Sequence, residues 1–422
     1  MCTGFEPIAT SESQRLGMPD MAWAVVEYPL AGLEPAQLEA RAEGAYPKLV
    51  DLLTAGGNGR SPAGGIGTLE EPGELIRIEG DTLGAVVESL TAGFNELRWS
   101  DGLPLVPPTP EAVDAMLAGV SLPADELIGL LYPKQGKATV RKIAVNAVMA
   151  GCRPEYMPIL VAAVRAMTTP AYCQEQNLVS TGSLFPVAIV NGPVRERVKV
   201  NAGRGAFGPG WSANASIGRA LRLMIINIGH SWPDVNDMGV MGHPARYTCC
   251  VGENEAVSPW PSLAAELGYP AGASTVTVMP GLFMGYFSTV GGSNPEDVLQ
   301  PLCEQLGSAH TTSSVALRSQ TLVVLNPVHA AMLGSMGFGK EDVRRYVYEN
   351  TRLPAEKYVR MAQLAVEEGA KRRKTISTWP GATVAMHESA ERIRVIVAGA
   401  EGTQGLFIRG FLGDMVTCEV PA

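Results

Sequence analysis

Apolar residues recur at helical spacing in two adjoining stretches of the chain. Val140, Ile143, Ala144, Ala147 and Val148 share one face, Gly151 ends that pattern, and Met157, Leu160, Val161 and Val164 form a matching stripe. Upstream, Pro107-Pro108-Thr109-Pro110-Glu111 places a capping threonine before a proline at the first helical position, which predicts a helix from Pro110 to about Ala118. Ile217, Leu221, Ile225 and Ile228 predict another helix over 213–228, with Gly229 as its stop. Between such stretches lie continuous apolar runs broken by Gly or Pro: Pro186–Gly192, Thr321–Pro327 and Ile393–Gly399. Runs without alternation read as strands covered on both faces, so the pattern predicts an α/β fold with a largely parallel or mixed sheet and covering helices. Ligands then belong beyond the carboxyl ends of the strands. The likeness among the three runs is too short to establish an internal repeat.

The first segment, 1–54, reads as helix (Phe5 to Leu16), strand (Ala22 to Val26) and helix (Pro35 to Leu53), a partial α/β unit. Residues 55–74 are dense in glycine, with Pro62 and Pro72, and read as a linker. Residues 75–422 form the large α/β domain, the expected home of the active site. From Gly268 to Asn294 there is no charged residue, yet Pro270, Pro280, Gly281, Gly285, Gly291 and Gly292 would interrupt a spanning helix, so a buried strand with loops is expected and no membrane span.

The chain has 422 residues, of which 46% are hydrophobic and 18% charged, a greasy mixture that allows a large core and suggests a subunit interface and an oligomer. The net charge is -9, and the one basic block, Lys371 to Lys374, reads as a solvated face; nucleic acid is not an expected partner. The N-terminus, Met1-Cys2-Thr3-Gly4-Phe5-Glu6, lacks the basic and apolar sequence of a secretory leader, which points to the cytoplasm. Seven cysteines without pairing rhythm then read as free thiols.

Three constellations could carry chemistry. Asn201-Ala202-Gly203-Arg204-Gly205-Ala206-Phe207-Gly208 continues to Ser212 at a helix start, with Arg219 one face along and the strand end Asn191 upstream. Glycine-rich loops opening onto helix N-termini expose N–H groups that suit a phosphate or carboxylate, although the spacing matches neither the dinucleotide fingerprint nor a P-loop. His243, Arg246, Tyr247, Cys249, Cys250, Glu253 and Glu255 fall within thirteen residues. An activated thiolate, Cys250 or Cys249, could be a nucleophile with His243 and Glu253 or Glu255 moving protons. Alternatively His243, Cys250 and Glu253 could hold a transition metal in a lyase or hydrolase. If the segment is a strand, the two cysteines point to opposite faces. Cys152, in Gly151-Cys152-Arg153-Pro154-Glu155, lies near a helix start that would favour its thiolate; Asp101-Gly102 and His387 are weaker candidates.

The stretches Trp99–Thr109 and Asn146–Glu155, extended by Gly203–Arg222 and Tyr247–Trp260, resemble the large C-terminal region of longer proteins of the UGSC family, selenoproteins and their cysteine counterparts. Residues 2–54, especially Leu16-Gly17-Met18-Pro19-Asp20 and Tyr28-Pro29, resemble the second half of that family's motif-bearing domain. The family's Cys-Gly-Ser-Cys motif is absent here. The resemblance implies thiol-dependent redox or C–S bond chemistry, as in an oxidoreductase or lyase, and the glycine loop with the His243–Glu255 cluster points to an enzyme subunit acting on a small anionic or sulfur-containing metabolite. The resemblance also implies a companion subunit that carries the missing half, or, with the chemistry on that companion, a non-catalytic binding subunit of a heteromeric complex.

Overall fold

Among the described residues eleven strands carry the framework: β1 Leu127–Leu131, β2 Gly136–Thr139, β3 Phe185–Asn191, β4 Cys250–Gly252, β5 Thr275–Ser288, β6 Thr321–Leu325, β7 Arg352–Pro354, β8 Thr383–Ala385, β9 Ile393–Val397, β10 Gln404–Gly410 and β11 Val416–Glu419. The structure, a computed structural model, describes residues 2–15, 18–28, 33–54, 76–233, 235–289, 292–308, 319–357 and 381–421. The expected linker 55–74 and the basic run Lys371 to Lys374 lie outside the described residues.

The main sheet has the order β4-β3-β5-β10-β6-β9, with β11 also on β5. β3 with β4 and β6 with β9 are parallel, and every other pairing is antiparallel, so of the two expected arrangements the sheet is mixed. The charge-free stretch forms the long strand β5. No helix among the described residues is long and apolar enough to cross a membrane.

The sheet is curled. Inward side chains from all six path strands, among them Val187, Val251, Met279, Leu322, Ile396 and Ile408, merge into one buried cluster. The ends of the two edge strands meet, because Asn254 N–H donates to the Val397 carbonyl at 2.7 Å. Outward side chains of β3 to β5 pack under the helices Val140–Met149, Met157–Met167 and Ser212–Asn227, and those of β6, β9 and β10 under Pro295–Ser308, Pro327–Ser335 and Lys340–Asn350. The predicted helices therefore form as expected, Thr109 capping Pro110–Leu117 by accepting from Ala112 N–H.

The two halves of this layered sheet repeat one plan. A helix leads into a strand, β3 or β6; that strand runs out at an asparagine, Asn191 or Asn326, followed by a helix starting at Pro193 or Pro327. A crossover helix, Ser212–Asn227 or Lys340–Asn350, and a short 3₁₀ turn, Pro244–Arg246 or Ala390–Arg392, precede the parallel neighbour β4 or β9, and the antiparallel β5 or β10 follows. Register agrees: Ala188 lies opposite Cys250 and Val278, and Val323, at the same distance from its asparagine, lies opposite Val395 and Phe407. An internal duplication thus exists, but it pairs the first apolar run with the second; the third, Ile393–Gly399, corresponds to β4.

In the first segment the helices Glu6–Arg15 and Pro35–Thr54 form as expected, whereas the expected strand Ala22 to Val26 reduces to one parallel bridge between Cys2 and Val26. A ladder needs consecutive partners, and the bridge here is closed by Thr3 N–H donating to the Val26 carbonyl at 2.8 Å. The longer helix buries only Ala45 and leaves Leu38, Tyr46, Leu49, Val50 and Leu53 exposed.

Candidate functional site

The crossover helix Ser212–Asn227 is buried along the Ile217, Leu221, Ile225 stripe and carries two arginines three residues apart on its other side. Arg219 grips Asp101 with two bonds, Nε at 2.7 Å and Nη2 at 2.9 Å, and also donates to the Leu103 and Pro104 carbonyls. The Asp101-Gly102 turn is thereby pinned to the helix, Gly102 supplying the positive φ of 88° that a side chain would disfavour. One turn on, Arg222 donates to Asp237 at 2.8 Å, and Arg246, from the 3₁₀ turn, donates to the same carboxylate oxygen.

These groups surround a cavity of about 240 Å³ lined by Ser100, Asp101, Arg222, Arg246, His243 and Tyr247, with Ile226, Pro233 and Gly242. Among the described residues three guanidinium groups here face two carboxylates, an excess of one positive charge. Asp237 is almost wholly buried; burial would raise its carboxyl, but Arg222 and Arg246 together bring it below the ordinary carboxylate range. Arg222 is lowered by its own burial and then by the like charge of Arg246. Among the described residues the buried Arg246 Nε has no acceptor. His243 stacks on Phe185 with ring centroids 4.7 Å apart, and its Nδ1 accepts from Ala245 N–H, so a neutral ring carries its proton on Nε2. Burial lowers the His243 pKa, which favours that neutral form.

The cavity gathers only part of the constellation expected from sequence. His243, Arg246 and Tyr247 line it and Arg219 braces it, together with Asp101, which sequence reasoning ranked low. Arg222 and Asp237 were missed, although the three-residue spacing of Arg219 and Arg222 on a helix with an apolar opposite face was a readable signal.

Cys249 and Cys250 do not reach it. The first points into the curled interior and the second into the outer helix layer, both buried in hydrocarbon. Burial pushes the Cys249 thiol up to about 12 and raises Cys250 as well, so neither is an activated thiolate. Glu253 is locked elsewhere: it accepts from Lys340 Nζ at 2.9 Å, Leu263 N–H at 2.7 Å and Asn191 Nδ2 at 2.7 Å. Its partner Glu255 accepts from Gly192 N–H at 2.7 Å and from Asn191 Nδ2. The expected proton carriers and the Asn191 substrate contact are thus corrected to a network that ties strand ends together. The metal set His243, Cys250 and Glu253 is likewise not assembled, and no group of three metal-binding side chains occurs among the described residues. Cys152 is part-buried against Ser216 and Arg219; burial pushes it up to about 12 although both neighbours pull it down. His387, a weaker candidate, is buried and bonded to Thr321 at 3.1 Å.

The glycine loop builds a different cavity. Buried Asn214, near the helix start, donates to the carbonyls of Asn201, Ala206 and Cys250 and accepts from Asn201 N–H. The Asn201 side chain holds Gly203 N–H and the Arg204 carbonyl. So shaped, Arg204, Gly205 and Gly208 line a cavity of about 330 Å³ at the carboxyl ends of β6 and β9, opposite Glu401, Gln404 and Tyr286. It shares no lining residue with the arginine cavity, so the glycine loop and His243 face separate hollows. Ser212 bonds within its helix, accepting from Ser216.

The family comparison falls on the N-terminal segment. The UGSC family model matches residues 1–55, in keeping with the UGSC relationship expected from the sequence. Among curated proteins and among solved structures nothing matches significantly.

Proposed function

We propose that the chain is an enzyme subunit that takes a small anionic metabolite, bearing a carboxylate or phosphate group, into the arginine cavity. Arg222 and Arg246 are the counter-ions, Arg219 and Asp101 hold the cavity wall, and the Nε2 proton of neutral His243 is available to the ligand. The observation that carries this reading is the excess positive charge among the described residues of a part-buried site, where an added anion restores balance and the buried Arg222–Asp237 floor strengthens the attraction. Calorimetric titration with inorganic phosphate and with acetate tests it. Binding weakened at least about tenfold, roughly 1.4 kcal/mol, by Arg246→Met but not by Arg204→Met is expected. Loss through Arg204→Met alone would move the anion to the glycine-loop cavity and overturn the assignment.

A second reading concerns the exposed apolar side chains of the helix Pro35–Thr54, which support a companion subunit packing there. A Cys-Gly-Ser-Cys chain expressed alongside this one is expected to co-elute with it and to be released by Leu49→Asp with Leu53→Asp. Separate elution of the unaltered chains counts against it.

A further inference from the structure

The charged groups of the arginine cavity leave N–H donors unmet while their carboxylate partners are engaged. Arg222, with only 7% of its side chain exposed, makes one hydrogen bond among the described residues, from Nη2 to Asp237. Its Nε and Nη1 have no acceptor there, yet neither is sealed from solvent, so they open into the cavity that Arg222 lines. Nη1 of Arg246 stands likewise, because the bond to Asp237 uses Nη2. His243 adds its Nε2 proton, since Nδ1 is occupied by Ala245 N–H. The acceptors are already in use: both Asp101 oxygens hold Arg219, and Asp237 holds both arginines on Oδ2 and Gly239 N–H on Oδ1. Ile226 and Pro233 supply an apolar part of the lining.

We propose that the ligand of this cavity is a short 2-oxo carboxylic acid, which names the substrate class within the anion reading and rests on that reading. The ligand carboxylate lies on the open N–H groups of Arg222 and Arg246, where charge-assisted bonds are roughly twice as strong as neutral ones. The 2-oxo oxygen accepts from His243 Nε2, and the short alkyl group packs on Ile226 and Pro233. A 2-amino acid is rejected, because its ammonium group adds positive charge where positive charge is already in excess and the carboxylates that would receive it hold arginines. A volume of about 240 Å³, below the range of drug-sized pockets, limits the acid to a few carbons.

Three acids that differ only at the second carbon test this by calorimetry on the full chain: 2-oxobutyrate, butyrate and L-2-aminobutyrate, with inorganic phosphate as a further arm. 2-Oxobutyrate is expected to bind at least about tenfold more tightly than butyrate or L-2-aminobutyrate. His243→Phe keeps a ring against Phe185 but has no N–H, and should abolish the preference for 2-oxobutyrate over butyrate with an unchanged circular dichroism spectrum. The comparison of acids on the unaltered chain decides the matter even where that variant does not fold. Butyrate or L-2-aminobutyrate binding as tightly as 2-oxobutyrate, no binding of 2-oxobutyrate, or a preference that survives in folded His243→Phe overturns the 2-oxo assignment. In any of these cases, binding of another of the anions that falls with Arg246→Met leaves the anion reading standing, whereas no binding of any of the four overturns both.

Discussion

Neighbouring sulfurs at Cys249 and Cys250, at the entry to β4, leave the chain on opposite faces because side chains alternate along extended backbone. Each therefore meets a different apolar layer, and neither meets water. Together with buried Cys303 they should stay unlabelled by a thiol reagent in the native chain and react only on unfolding; rapid native labelling at Cys250, read by mass spectrometry, would contradict this placement. The density of reactive residue types between 243 and 255 was visible in the sequence, but the partners that neutralise them were not. Lys340 reaches Glu253 from far along the chain, and no local spacing announces it. Two buried histidines give a pH prediction at the same scale. Burial lowers His329 to about 4 and His387 to about 3. An unfolded histidine has a pKa of about 6.5, so as pH falls below that value the unfolded chain takes up protons that the folded chain refuses. The stability these neutral rings confer is complete above about pH 6.5 and is lost as pH falls, by about 3 kcal/mol for His329 down to pH 4. Urea melts across this range should show the decline, and His329→Gln should flatten it; equal slopes in both proteins would refute the cause.

At the scale of elements, the crossover helix Ser212–Asn227 positions the arginine cavity. Its apolar stripe and glycine stop were legible in the sequence, because a helix packed on a sheet must show a periodic buried face. Its docking distance was not legible. A methyl group at Gly218 would come within 2.4 Å of Thr248 Oγ1 and 2.6 Å of the Cys249 backbone nitrogen, so only glycine lets the helix lie this close to the chain leading into β4. Gly218→Ala should push the helix outward, cost about 1–3 kcal/mol and weaken anion binding with Arg222 and Arg246 both present. A stability and affinity equal to those of the parent would show that the close approach does not set the cavity. The glycine loop teaches the converse lesson: its composition announced an unusual backbone, but Asn214, a single polar residue inside the next helix, decides which cavity that backbone faces.

Over the whole molecule, duplication explains why continuous apolar runs recur and why they were hard to match. Equivalent positions conserve only burial, so Ala188 answers to Val323 and Cys250 to Val395, and sequence identity between halves has little to hold it. The halves are also joined electrostatically, since Lys340 of the second half neutralises Glu253 of the first inside the protein. Lys340→Met leaves that carboxylate buried without its cation and should destabilise the chain by about 3–5 kcal/mol, measured by denaturant unfolding; a change below about 1 kcal/mol would show that the pair does not bind the halves together. The UGSC family model matches residues 1–55, while the arginine cavity lies in the large region beyond them. A structure determined from crystals soaked in inorganic phosphate tests the central claim most directly. The account predicts an anion bonded to the Arg246 guanidinium beside His243; an anion bound only between the glycine loop and β9, with the arginine cavity holding none, would contradict it.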